Sequence, residues 1–220
     1  MQTKENALKA ILNQRLLPLF FYESPEVSLA VIKTLYEAGI RTLEYTNRGA
    51  AALENFTYLK KELSLQYTDL HLGIGTIKTA TEAETFIKAG ADYIVSPVVN
   101  PEVGSITHEA GMLWIPGCFT PTEIHLAQQA DAALIKLFPA NLLGPSYVAS
   151  IKELFAGQLF IPTGGVEMNQ ENISAWFKAG VCAVGMGSKL ISKDILEKQQ
   201  YERLQELATE ALLLVKNCRK

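Results

Sequence analysis

Cysteine is scarce in this chain of 220 residues: Cys118, Cys182 and Cys218 are the only three, and no two stand at a CxxC spacing. An odd, widely spaced set argues against a disulfide framework and fits a reducing compartment. The three histidines, His71, His108 and His125, lack ligand spacing too. His71 begins a strand and the others are expected on outward helix faces, so no metal site is expected. No run nears the roughly 20 apolar residues that a bilayer-spanning helix needs. The N-terminal stretch MQTKENALKAILNQRL is polar and helical, without the apolar centre of a signal peptide. Basic charge is not in excess either: 20 Lys and Arg against 23 Asp and Glu leave a net charge of −3, which disfavours a nucleic-acid partner. A linker or low-complexity segment is missing as well, so a single domain over 1–220 is expected. These absences lead us to expect a cytoplasmic protein with no membrane or nucleic-acid partner, while a locally positive site for a small anion stays open.

What is present is a repeat. A helix ending in a small residue plus glycine, then a short apolar strand, recurs as EAGI-RTLEYT, KAGA-DYIVSP, EAGM-LWIPGCF and KAGV-CAVGMG, with QADA-ALIKLFP as a variant without the glycine. Glycine after a helix suits the left-handed position there, and apolar runs rather than alternating ones suit parallel strands covered on both faces. Candidate strands number eight: 16–22, 42–46, 71–76, 93–98, 114–119, 133–139, 158–163 and 182–186. Helices are expected between them, over 25–39, 50–64, 79–90, 101–110, 121–130, 145–155 and 169–179. A helix over 3–14 precedes the first strand, and one amphipathic stretch, DILEKQQYERLQELATEALLLVKN, closes the chain. Strict alternation of this kind predicts an α/β fold, a (β/α)8 TIM barrel with an extra N-terminal helix. An open doubly wound sheet shares the alternation but usually carries GxGxxG after its first strand, which is missing here.

In such a barrel chemistry sits at the C-terminal strand ends, which gives certain polar residues a meaning. Lys136 lies inside AALIKLFPA among core residues. Burial there favours the neutral amine, the form that attacks a ketone, although a lysine snorkelling to a strand end or paired with a carboxylate would look the same. Glu44, in TLEYT, is the matching anomaly, either an acid/base or half of a structural ion pair. Arg48, just past that strand, is a candidate for a bidentate carboxylate contact, and read alone it is an ordinary loop arginine. The glycine pairs of IPTGGV and VGMGSKL end the seventh and eighth strands, where phosphate commonly binds in these barrels. Thr76 and Thr163 could donate hydrogen bonds or simply finish their strands, and Pro97 and Pro139 read first as strand stops. Cys118, Trp114 and Trp176 read as core.

The segments LEYTNR, GIGT, YIVSP, IPGCFTPTE, IKLFPA, PTGG and GMGS, in this order and at the repeat spacing, resemble the 2-keto-3-deoxy-6-phosphogluconate (KDPG) aldolase / 4-hydroxy-2-oxoglutarate (KHG) aldolase family over nearly the whole chain. The resemblance implies a class I aldolase, a carbon–carbon lyase without cofactor or metal, in which Lys136 forms the Schiff base and Glu44 is the general acid/base. It implies that Arg48 and Thr163 hold the carboxylate end, that Thr76, Pro97 and Phe138 line the pocket, and that Gly164, Gly165, Gly187 and Ser188 cradle phosphate. It further implies a homotrimer. The substrate would be 2-dehydro-3-deoxy-6-phosphogluconate, cleaved to pyruvate and glyceraldehyde 3-phosphate, and also 4-hydroxy-2-oxoglutarate, cleaved to pyruvate and glyoxylate. Two departures stand out. Phe21 occupies a position near the end of the first strand where some members carry arginine, and the C-terminal helical stretch is longer and more charged than in compact members. A non-covalent phosphate-binding barrel enzyme and a catalytically silent metabolite sensor are the rival readings. The pairing of a nucleophile with a base argues against the sensor.

Overall fold

The computed structural model describes residues 3–218. In chain order the elements are α1 (Lys4–Gln14), β1 (Leu16–Phe20), α2 (Pro25–Glu37), β2 (Thr42–Thr46), α3 (Ala52–Leu63), β3 (His71–Gly75), α4 (Ala80–Lys88), β4 (Tyr93–Val95), α5 (Pro101–Glu109), β5 (Leu113–Ile115), β6 (Gly117–Cys118), α6 (Pro121–Gln129), β7 (Leu134–Leu137), α7 (Gly144–Ile151), β8 (Leu159–Pro162), α8 (Gln170–Ala179), β9 (Val184–Met186), α9 (Lys193–Glu197) and α10 (Tyr201–Lys216). A short 3-10 turn, Ala140–Leu142, links β7 to α7. Local chemistry sets the helix starts. Ser24, Asn100 and Thr120 accept from backbone N–H groups one turn on, each just before a proline that opens its helix. Thr79 with Glu82 and Thr120 with Glu123 close reciprocal capping boxes.

The fold is α/β with every strand pair parallel. Six strands join in the order β5-β4-β3-β2-β1-β9 and three in the order β6-β7-β8. The second sheet meets the first at two margins. On one side an isolated bridge pairs Thr163 with Gly185, and the Cys182 N–H donates to the Phe160 carbonyl at 3.0 Å. On the other, the strand expected over 114–119 is divided at Pro116, because proline has no N–H to continue a ladder. Ile115 still accepts from Ser96 in the first sheet, whereas the Pro116 carbonyl already accepts from Lys136 in the second.

Two apolar clusters hold these layers. The larger lies between strands and helices and includes Leu43, Ile74, Ile94, Trp114, Ile135, Phe160 and Trp176. The smaller gathers Leu17, Tyr93, Val95, Leu113, Ile115, Leu134 and Ile161 from both sheets, and α1 adds Ala7 and Ile11, both fully buried. The expected leading helix therefore packs against the N-terminal side of the strands. Gln14 at its end locks it there: its amide donates to the carbonyls of Leu16 and Thr42 and accepts from the Thr42 N–H at 3.1 Å.

Helix ends follow the repeat. Gly39, Gly90, Gly111 and Gly180 have φ between 71° and 117°, and Asp131, at the variant repeat, takes φ 56° in the same place. Asp tolerates the left-handed region better than most residues, which is why the unit survives without glycine there. The closing stretch departs from expectation: it is two helices, broken at 198–200, where Gln199 has φ 50°. Ser192 caps the first of them through the Ile195 N–H. Two further corrections are small. His108, expected outward, is half-buried, with its Nε2 3.2 Å from the Ala130 carbonyl and its ring edge-on to Trp114. The strands are shorter at their ends than the apolar runs suggested. Among the described residues no helix is long and apolar enough to cross a membrane.

A Cβ at Gly111 would meet nothing within 4 Å, so Gly111→Ala isolates the cost of the left-handed backbone. We expect a loss of about 1 kcal/mol, read as a lower urea midpoint at unchanged slope. An unchanged midpoint would show that the turn is not held at positive φ.

Candidate active site

Sequence dictates the floor of the site through strand register. Glu44 sits opposite Gly73 and beside Leu19, and Lys136 sits between Gly117 and Ile161. Each charged side chain thus has a glycine on a neighbouring strand. Both are buried, Glu44 at 1% and Lys136 at 6% exposure, and Lys136 Nζ lies 3.6 Å from Glu44 Oε2. A Cβ on Gly75 would collide with the Glu44 carboxylate, and one on Gly73 with the Tyr93 ring. The glycines of HLGIG therefore give Glu44 its path across β3. Tyr93, fully buried, donates its hydroxyl to the Leu43 carbonyl at 2.7 Å and lies 3.1 Å from the Thr42 hydroxyl. Burial holds that phenol well above its ordinary pKa, with the Glu44 charge adding to it.

The pair has a chemical peculiarity. Neither Glu44 oxygen makes a hydrogen bond within the described residues, although both are buried. Buried carboxylates are ordinarily satisfied, and an ion pair left without further hydrogen bonds recovers little of its desolvation cost. Such a group is set to accept from, or donate to, whatever enters beside Lys136. The Cys118 thiol, on the strand next to Lys136, is pushed up to about 12 by burial and then by the Glu123 charge, so it is a protonated core group and no nucleophile.

Beside the pair, on the side of Phe138 and Leu19, lies a cavity of about 310 Å³. Of the residues expected at the site, Arg48, Phe138, Thr163, Gly164, Gly165, Gly187 and Ser188 line it. Neither Lys136 nor Glu44 belongs to its wall; the link between pair and cavity is Phe138, which lines the cavity and whose ring centroid lies 5.4 Å from Lys136 Nζ. Thr76 and Pro97 end β3 and β4 on the same side, but neither belongs to the cavity wall. Thr76 takes φ 66°, a strained choice for a β-branched residue. The Pro97 carbonyl presses on Gly117, where a Cβ would come within 2.5 Å. Thr76 follows Gly75, which faces the Glu44 carboxylate, and Pro97 packs on Gly117, the register partner of Lys136.

The glycines have distinct reasons. Gly164 and Gly165 both have positive φ, 87° and 75°, and a Cβ on Gly165 would lie 2.7 Å from the Asn141 Cα. Two consecutive residues at positive φ make a tight turn on the cavity wall that side chains other than hydrogen would strain. Gly187 has neither constraint, since its nearest neighbour, Leu19, would stand 3.6 Å from a Cβ; there the missing side chain leaves room in the cavity. On that wall the Leu190 and Ile191 N–H groups both donate to the Gly187 carbonyl, closing a turn around Ser188.

Sequence reasoning missed part of this wall. Leu19, Phe20, Val166, Gly185, Ile191 and Leu196 add an apolar face, and Leu196 comes from α9, a helix hidden in the closing stretch. The signal was Ser192, a capping residue within KLISKDILE. Phe21, noted only as a departure, lines the cavity, with its ring against Gly49 and 5.6 Å from Tyr45. Lys189 also lines it; it stands in the quoted GMGSKL segment, but a lysine in a loop carries no signal by itself.

The sequence profile described as KDPG and KHG aldolase matches residues 8–207. A "2-dehydro-3-deoxy-phosphogluconate aldolase" of Treponema pallidum is 29% identical over 94% of this chain and 96% of its own length. A "Probable 2-dehydro-3-deoxy-6-phosphogalactonate aldolase" of Rhizobium meliloti is 32% identical over 76% of each. Among solved structures, a 4-hydroxy-2-oxoglutarate aldolase/2-deydro-3-deoxyphosphogluconate aldolase from TTHB1 superposes with a TM-score of 0.81 at 31% identity, covering 95% of this chain and 98% of that one.

The buried pair makes its own prediction. Lys136→Met leaves a buried carboxylate without its cation and is expected to cost about 3 kcal/mol or more, whereas Lys136→Met/Glu44→Leu should recover most of the loss. Urea unfolding of the two variants decides this. A double variant no more stable than the single one would show that the two charges do not face each other.

Proposed function

The chain belongs to the KDPG and KHG aldolase family of carbon–carbon lyases, and on that premise we propose that it cleaves 2-dehydro-3-deoxy-6-phosphogluconate to pyruvate and glyceraldehyde 3-phosphate through a Schiff base on Lys136. The observation that carries this is the buried Lys136–Glu44 pair, whose carboxylate accepts no hydrogen bond from the described residues, next to a cavity lined by Phe138, Arg48 and two glycine turns. The reading takes the two sheets as one closed eight-stranded (β/α)8 barrel, a single domain over 1–220. In it β5 and β6 are one strand interrupted at Pro116, and the Thr163–Gly185 bridge joins the other margin.

Glu44 takes a proton from the Lys136 ammonium, the freed amine adds to the C2 ketone, and the proton passes to the departing hydroxyl, so that loss of water gives a protonated imine that withdraws electrons. Glu44, directly or through a water, takes the proton of the C4 hydroxyl as the C3–C4 bond breaks, and its electron pair moves onto the imine. The aldehyde leaves as glyceraldehyde 3-phosphate, and an enamine stays on Lys136. Glu44 returns the proton to the enamine carbon, and water hydrolyses the resulting pyruvyl imine, releasing pyruvate and the free amine. Arg48 and Thr163 hold the carboxylate end, and Thr76, Pro97 and Phe138 shape the pocket. Gly164, Gly165, Gly187 and Ser188 offer backbone and hydroxyl donors to the phosphate. The unphosphorylated 4-hydroxy-2-oxoglutarate enters the same sequence of steps and yields pyruvate and glyoxylate.

We place the enzyme in the cytoplasm as a homotrimer. Three free cysteines accord with a reducing compartment. Exposed Val98, Leu126 and Leu142 offer apolar surface for subunit contact.

Borohydride reduction in the presence of pyruvate is expected to attach a pyruvyl group to the peptide that carries Lys136. Lys136→Ala should lose turnover and trapping together. Glu44→Gln should still be trapped, with cleavage slowed by about 10²-fold or more, the range of general acid/base effects. Full turnover by Lys136→Ala, or native enzyme that cannot be trapped, sinks the covalent reading and favours a non-covalent barrel enzyme.

A further inference from the structure

The cavity wall carries a second cation besides Arg48. Lys189 follows Ser188 in the turn after β9 and lines the cavity, yet its Nζ is drawn to Glu167 Oε2 at 2.9 Å. Glu167 itself stands outside that wall, in the loop after β8. The loop is fixed from α8: the Glu167 N–H donates to Asn172 Oδ1 at 2.9 Å, and Asn172 Nδ2 reaches the Gly165 carbonyl at 3.5 Å. The Asn172 N–H is in turn held by the Asn169 side chain at 2.8 Å. The acidic partner is thus anchored to the same loop as the glycine turn, and the lysine is parked at the cavity's edge.

We infer that Lys189 is a specificity-determining residue that binds the phosphate of a phosphorylated keto-acid substrate by exchanging Glu167 for it. The inference rests on the proposed cleavage of a phosphorylated keto acid. The pair is half exposed on both sides, 55% for Lys189 and 42% for Glu167, so it is a weak ion pair that a stronger anion displaces at little cost. A phosphate monoester brings about two negative charges and three acceptor oxygens. It lies between the Gly164–Gly165 turn and Ser188, where backbone groups position it and Lys189 supplies the charge they lack. Released from Lys189, Glu167 remains in solvent and pays no burial. A keto acid without phosphate presents nothing for Lys189 to reach, so the exchange separates the two substrate classes within one site.

The test compares KM values on 2-dehydro-3-deoxy-6-phosphogluconate and 4-hydroxy-2-oxoglutarate, together with calorimetric titration of inorganic phosphate. Lys189→Met is expected to raise KM for the phosphorylated substrate about tenfold more than for the other, with kcat on it nearly kept, and to weaken phosphate binding by about the same factor. Lys189→Arg should restore most of both, and Glu167→Gln, by freeing the lysine, should lower the phosphorylated KM. Equal KM shifts on the two substrates would mean a general disturbance of the wall and would overturn the inference. So would equal phosphate affinity in native protein and Lys189→Met. Native protein that cleaves neither substrate defeats the proposed reaction, and the phosphate titration then decides Lys189 by itself.

Discussion

Placing a lysine and a carboxylate together among apolar strands is the constraint on which the rest of this site depends. Each charge loses its hydration on burial, and the loss is returned only where the other charge and further hydrogen bonds replace the water. Here the attraction acts across 3.6 Å, and within the described residues the carboxylate accepts no hydrogen bond. The neighbours are shaped around the pair. Gly75 clears the path of the Glu44 carboxylate, Tyr93 fills the volume over Gly73 and fastens its hydroxyl to the Leu43 carbonyl, and Gly117, on the strand beside Lys136's, leaves room for the Pro97 backbone. Rigid packing of this kind fixes both side chains in one geometry.

Two parts of the site rest on different structure. Glu44 on β2 and Lys136 on β7 are held by ladder register. Gly164 and Gly165 lie in a loop on the cavity wall, both at positive φ. Backbone donors cannot rotate away, but they carry only partial charge, and the full charges that line the cavity, Arg48 and Lys189, sit on exposed segments.

The repeat carried most of the architecture, because a left-handed residue after each helix and an apolar run after that are local requirements written in one or two residues. Even the exception at Asp131 obeyed the same backbone rule. The buried ion pair was legible for a related reason: a charge within an apolar strand contradicts its surroundings, and such a charge calls for a partner. What escaped was decided by tertiary context. Pro116 divides a strand only because the chain passes there from one sheet to the other. The closing stretch keeps one amphipathic pattern across a break that α9 needs in order to turn Leu196 toward the cavity. Thr76 and Pro97 belong to the right strand ends but not to the cavity wall, a distinction that register alone does not make.

Phe21 shows how a departure from a family pattern is absorbed. Where some members present an arginine, this chain lays an aromatic ring on Gly49, so close that a Cβ there would come within 2.6 Å of it. The same ring packs beside Tyr45, whose hydroxyl is tied to the Tyr22 carbonyl at 2.8 Å. From the other side the Asn47 N–H donates to the Gly75 carbonyl at 2.8 Å. The segment carrying Arg48 is thereby clamped between an aromatic wall and the strand that seats Glu44. Phe21 thus stands as a packing contact that limits the freedom of the backbone carrying Arg48, at a position just past β1 where some members carry a charge.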